Sequence, residues 1–278
     1  MCSNLAVSRV AVLKNEAEQF IRYLKTLSSQ AWGHPSACEG WTVADVLGHL
    51  TGQDFSPRIL SGLKGDVSAP EGSPAVSDHD EDKFAQSIFR RAIDAKERMG
   101  DHLLSTFVQR VDETVQVFGG VAIDQWDTLC YWPPGPETVR TMLNMRISEL
   151  VMHAWDICSQ FETDYRLSQD SVLVLMDTVD RAVRRAFRPD TFWGEPVTYR
   201  FDITVPLEAK RDIVLTKDGG SVGSDGADAQ VVFGCNAETY VMLMYGRLKL
   251  EDAIDLSLLS VKGDEALVDG FASRFKGG

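Results

Sequence analysis

Apolar residues at Val7, Val10, Leu13, Ala17, Phe20, Ile21, Leu24 and Leu27 recur three and four apart, the rhythm of one face of an α-helix. A long amphipathic helix from Leu5 to about Leu27 is predicted. A loop with Trp32, Pro35 and Gly40 follows. In GWTVADVLGHL, Thr42 then precedes an apolar run with Asp45 three residues on, close to a capping box in which aspartate replaces the usual glutamate. A second helix starts near Thr42 and carries His49 inside it. Phe84, Ile88, Ala92, Ala95, Met99 and Leu103 mark a third helix from about Asp82 to Val111. Thr138 to Gln160 forms a fourth, and Ser168 to Phe187 a further one that ends before Arg188 and Pro189. Long amphipathic helices joined by loops imply a helical bundle.

After about Trp193 the pattern changes. VTYRFDITV alternates and is rich in β-formers, RDIVLTKDGGSV reads as a strand entering a Gly-Gly turn, and AQVVFGC is a short apolar strand. Helical spacing returns in Ala237–Tyr245 and Asp264–Phe275, so the tail reads as a small α+β module. Two stretches, Gly62–Asp80 and Gly119–Pro136, are rich in loop formers and are expected to be irregular, as loops near functional sites often are.

Length and composition add constraints. At 278 residues the chain suits one or two domains with a real core. Its net charge of −13, with no Lys/Arg-rich run, argues against a nucleic-acid binder, whose affinity comes from cations displacing counterions. No apolar run approaches a bilayer span, and the first residues show no basic segment followed by an apolar one. The five cysteines, Cys2, Cys38, Cys130, Cys158 and Cys235, form no CxxC pair, which fits reduced thiols in a cytoplasmic protein.

The fourth helix carries the chemistry. In ISELVMHAWDIC, Glu149 and His153 are four apart and project from one face, so a carboxylate oxygen and an imidazole nitrogen can aim at one point, as divalent-metal ligands do. The same spacing also suits a buried hydrogen-bonded pair. His49, inside another apolar helix, is the candidate third ligand; taken alone it equally suits a structural hydrogen bond. Asp156 shares the stripe and either orients a ligand histidine or fixes the helix to a neighbour. Asp45 reads as a cap. His34, His79 and His102 read as surface residues; no cysteine shares a stripe with His49, and Cys158, almost back on the Glu149 face, is more than two turns too far along, so a built-in thiol nucleophile is not favoured.

GWTVADVLGHL and, further along, ELVMHAWDI resemble the metal-binding bundle of the mycothiol-dependent maleylpyruvate isomerase family, part of the DinB-like group of thiol-using metalloenzymes. YVMLMYGRL and LLSVKGDEALVDGFASRF resemble its C-terminal module, related to sterol-carrier folds. The resemblance covers nearly the whole chain apart from the two loop-rich stretches. It implies an α plus α+β fold: an N-terminal DinB-like up-down four-helix bundle over residues 1–190, then a small α+β sterol-carrier-like domain over 191–278.

It also implies a divalent metal, generally Zn²⁺, held by His49, Glu149 and His153, and a substrate-contacting Arg247, which joins Asp156, read from the stripe, as the candidate catalytic set. Arg247 matches a substrate-contacting arginine and suits a carboxylate; otherwise it is a surface residue. A site drawing on both modules would lie between them. The implied activity is addition of a thiol such as mycothiol to a small electrophile, as isomerase or S-transferase, in a monomer or small homo-oligomer. Two rivals stand beside it. Two histidines and a carboxylate also hold Fe(II), which suits a thiol-oxidising or sulfur-transfer enzyme. An apolar bundle with a sterol-carrier-like tail also suits a non-catalytic binder of a hydrophobic ligand.

Overall fold

The computed structural model describes residues 2–53, 55–71, 73, 81–133, 135–186, 194–223 and 228–274. The chain divides into two compact units, Met1–Arg166 and Leu167–Gly278. Among the described residues the first is mostly helical with a short hairpin, and the second contains a sheet. Among the described residues no helix is long and apolar enough to cross a membrane.

In the first unit, α1 (Cys2–Leu24) buries Leu13, Ala17, Phe20 and Leu24. Helix α2 (Val43–Gly52) opens on the predicted capping box. Thr42 accepts from the Asp45 backbone N–H at 3.3 Å, and Asp45 accepts from the Thr42 backbone N–H at 2.9 Å. A short α3 (Ser56–Gly62) follows, with Pro57 in its first turn. Residues 72 and 74–80, with His79, lie outside the described residues.

The single helix expected over residues 82–111 is two: α4 (Glu81–Met99) and α5 (Leu103–Gly119), separated by a 3₁₀ turn at Gly100–His102. Gly100 has φ = +49°, a conformation open to glycine at little steric cost, and it ends the first helix there. The apolar stripe continues through the break, which is why spacing alone reads one helix. Strands β1 (Leu129–Cys130) and β2 (Glu137–Thr138) pair antiparallel and lead into α6 (Val139–Cys158), capped by Thr138. Of the irregular stretch before α6, Trp126 and Tyr131 are buried in the core, and Trp126 stacks on Phe118.

Helix α1 packs on α5 and α6, and α2 packs on α4, α5 and α6. The α2–α4 contact depends on Gly48. A Cβ there would sit 2.5 Å from the Ala92 carbonyl oxygen and 3.1 Å from Lys96 Cβ. Helix propensity alone makes Gly48→Ala stabilising by about 1 kcal/mol. Overpacking against backbone costs about 1–3 kcal/mol, so a net loss of stability in chemical denaturation is expected. A gain would show that the two helices separate freely.

The second unit opens with α7 (Gln169–Ala186). Its sheet runs β5-β4-β3-β6-β7, from β3 (Val197–Ile203), β4 (Ala209–Thr216), β5 (Gly219–Gly223), β6 (Val231–Cys235) and β7 (Leu259–Gly263). Neighbours are antiparallel except β3 with β6. The β4–β5 hairpin turns at Lys217 and Asp218, and the Gly-Gly pair expected in the turn begins β5. Helices α8 (Ala237–Met244), α9 (Leu250–Asp255) and α10 (Glu265–Arg274) complete the unit around Tyr199, Phe201, Phe233, Tyr240 and Phe271.

Helix α7 belongs to this unit. Thr178 Oγ1 lies 2.7 Å from the Tyr245 hydroxyl, and the Val222 N–H donates to Asp180. The compact units therefore divide before α7, whereas the residue pattern divides the chain after it, at 190/191, among residues outside the described ones. An amphipathic stripe shows that a helix buries a face, and does not show which partner covers it.

Candidate metal centre

Helices α2 and α6 bring His49 and the Glu149/His153 pair together. His49 Nε2 lies 3.1 Å from Glu149 Oε2, and His153 Nε2 lies 3.6 Å from the same oxygen. The three ligand atoms all fall within 4.8 Å of one another. Oxygen and nitrogen donors around a tetrahedral ion at ~2.1 Å are ~3.4 Å apart, so the two close separations bracket what an ion requires.

Asp156 is fully buried one turn beyond His153. Its Oδ2 accepts from His153 Nδ1 at 2.9 Å. Because a carboxylate only accepts, the proton sits on Nδ1, and Nε2 is the ring atom turned to Glu149. The Asp156 backbone carbonyl meanwhile accepts from the Ala37 N–H at 2.8 Å, tying the loop before α2 to α6. That loop closes on itself where Ser36 donates to the Trp41 carbonyl.

The loop delivers two residues that periodicity does not single out. Cys38, half-buried, donates its S–H to Asp156 Oδ2 at 3.0 Å, with Sγ 3.7 Å from His153 Nδ1. A thiol therefore does stand beside the stripe, reached from a loop. The thiols of Cys130 and Cys158 are buried, which pushes them up to about 11 and about 12, far from nucleophilic use. Trp41 lies against both imidazoles, with ring centroids 5.2 Å from His49 and 6.4 Å from His153. This ring forms an aromatic wall beside the cluster.

A third unpredicted neighbour is Gln53, at the end of α2. Its Nε2 lies 2.8 Å from both His49 Nε2 and Glu149 Oε2. The signal was present, since Gln53 follows His49 by the same four residues that separate Glu149 from His153.

The electrostatics differ among the three donors. Burial would raise the Glu149 carboxyl, but hydrogen bonds with His153 and His49 outweigh it and hold it well below the usual carboxylate range. Burial pushes His49 down, with Glu149 opposing. Burial would lower His153 too, yet its bonds to Asp156, Cys38 and Glu149 carry it well above the usual histidine value. Asp45 stays out of the cluster. Burial would raise it, but bonds from Lys96, 2.6 Å away, and Thr42 lower it.

His34 and His102 are exposed, as expected of surface residues. Arg247 belongs to the second unit, in the turn after α8, where it is half-buried and donates to the Tyr245 carbonyl at 2.8 Å.

The profile of the mycothiol maleylpyruvate isomerase N-terminal domain matches residues 13–158, more than half of the chain. The chain belongs to this family. Cys38, His49, Gln53, Glu149, His153 and Asp156 all fall within the matched segment. Among solved structures, the crystal structure of the mycothiol-dependent maleylpyruvate isomerase is similar at 14% identity. Its TM-score is 0.62, and the match covers 87% of this chain and 90% of that one. A mutant of that enzyme matches with the same TM-score and identity over 92% of each chain. At this identity the likeness establishes the maleylpyruvate isomerase fold, helical first and sheet-containing second. No curated protein matches the chain.

Proposed function

We propose that this chain is a metal-dependent enzyme of the maleylpyruvate isomerase family, in which His49, Glu149 and His153 hold a divalent ion, zinc by donor set. It activates a low-molecular-weight thiol, mycothiol or a near relative, for addition to a small electrophile. The supporting observation is the convergence of three donor atoms from two helices, two of the separations being 3.1 and 3.6 Å. An ion with an open position at such a site lowers the pKa of a thiol that reaches it, which supplies a nucleophile at neutral pH.

The chain's own groups prepare that position. Asp156 fixes the His153 tautomer through Nδ1, so the ring cannot turn its lone pair away. Trp41 covers the histidines and limits water beside them. In the second unit, which we read as sterol-carrier-like, Arg247 offers a guanidinium suited to a substrate carboxylate. The first unit reads as a DinB-like up-down bundle of α1, α2, the broken α4–α5 segment and α6.

For an isomerase, the sulfur adds to one carbon of a conjugated cis double bond and the π electrons move to the adjacent carbonyl. Rotation and expulsion of the same sulfur give the trans isomer and return the thiol unchanged. For an S-transferase the C–S bond persists. Purified protein supplied with zinc, mycothiol and maleylpyruvate should show isomerisation that saturates in thiol. Metal-loaded protein with no saturable binding of any low-molecular-weight thiol would overturn the reading.

Ion binding should also release protons in a defined number. Glu149 is ionised and His49 neutral through the neutral range, while His153, with its raised pKa, carries a proton that the ion must displace. Apparent affinity should rise with pH until His153 deprotonates on its own, with about one proton released per ion. Calorimetry in buffers of different ionisation enthalpy counts that proton, and release of none would contradict the assignment.

A further inference from the structure

Gln53 touches the two atoms that an ion needs most. Its amide Nε2 donates to Glu149 Oε2 at 2.8 Å and lies 2.8 Å from His49 Nε2, while its Oε1 is buried with no hydrogen-bond partner. A carboxylate only accepts, so the His49–Glu149 hydrogen bond carries its proton on His49 Nε2, which faces the amide N–H₂. An ion held by His49, Glu149 and His153 takes the lone pairs of these atoms, so it and this amide orientation exclude each other.

Turning the amide by half a rotation resolves the conflict. The terminal torsion of glutamine is broad and roughly two-fold, so both orientations are accessible. Oε1 has no hydrogen bond to lose in turning. The choice is made at the cluster, where a cation favours the carbonyl oxygen and repels the N–H₂.

We propose that Gln53 is a fourth protein ligand of the metal centre, binding through Oε1. The proposal rests on the three-donor reading of His49, Glu149 and His153. A neutral amide oxygen is a weaker donor than imidazole or carboxylate, so it closes the position to bulk water yet gives way to an anionic sulfur. Gln53 would thereby link thiol entry to opening of the centre.

Cobalt substitution tests this without reference to turnover, because the visible ligand-field spectrum reports donor number and type. Gln53→Met keeps length and approximate volume but removes the oxygen. It should retain one ion per chain with affinity lowered by about 10–100-fold, the range of strong supporting groups, and with altered cobalt bands. Gln53→Glu, which puts a charged oxygen at the same place, should bind the ion more tightly than the wild type and bind thiol more weakly. Unchanged affinity and unchanged bands in Gln53→Met would overturn the assignment while leaving the three-donor reading intact. Wild-type protein that takes up no cobalt would overturn both.

Discussion

Protein carrying His153→Ala is expected to fold and to lose its ion. His153 is the one cluster residue whose ring works in two directions, with Nε2 3.6 Å from Glu149 Oε2 and Nδ1 2.9 Å from Asp156 Oδ2. Alanine removes a nitrogen donor and leaves His49 and Glu149 with only the weaker Gln53 amide oxygen beside them, a set that holds a divalent ion poorly against water. The loss should exceed about 100-fold in affinity, the upper end of what removing an outer partner alone costs. His49→Ala should behave alike, because its Nε2 is the cluster's only donor from α2 in the three-ligand reading. Metal content after purification without added metal, followed by chelator competition, measures both. Stoichiometric ion in either variant would sink the assignment.

The second large effect belongs to Asp156. Its side chain is wholly buried and takes hydrogen bonds from His153 and Cys38, while its backbone carbonyl anchors the loop at Ala37. Asp156→Ala leaves the buried His153 ring without the partner that favours its charge. Breaking such a pair from one side costs about 3–5 kcal/mol, read by urea unfolding in the presence of chelator. Asp156→Asn keeps the shape and one acceptor, so it should recover most of that stability. The neutral amide accepts more weakly from Nδ1–H, so ion affinity should stay about 10–100-fold below the wild type. Separation of the two readouts distinguishes a group that orients a ligand from one that merely fills space. Asparagine restoring both, or alanine changing neither, would show that the carboxylate charge is not used.

Much of the first unit was legible in the residue pattern. The α2 cap follows from Thr42 and Asp45 alone, because both hydrogen bonds of a capping box close within one turn. Helix α6 and its Glu149/His153 face follow from four-residue spacing, which is geometry internal to one helix. The break at Gly100 was not legible, since the apolar rhythm runs on through it. Helices α3 and α9 carry too few residues for a helical period to register.

The site divides along the same line. His49 could be suspected from its apolar surroundings and from the family resemblance, but its 3.1 Å approach to Glu149 depends on how α2 packs on α6. Gln53 needed only the spacing argument extended from α6 to α2, although the helix ends at Gly52 and its reach is set by that ending. Cys38 and Trp41 carry no periodic signal, because a loop has none. They arrive through the Ala37–Asp156 hydrogen bond and the closure at Ser36.

By itself, then, the sequence determined the helices and strands with strong rhythm, the cap of α2, the stripe on α6 and the family, all of them consequences of spacing within one element or of motif identity. Tertiary structure decided that His49 meets the Glu149/His153 pair, that Gln53 and Cys38 stand beside it, that the Asp156 side chain bonds the His153 ring while its backbone anchors a loop, and that α7 packs with the sheet. The reason is physical: side chains within one helix are placed by its fixed rise and turn, whereas convergence between elements depends on packing distances that no local period encodes.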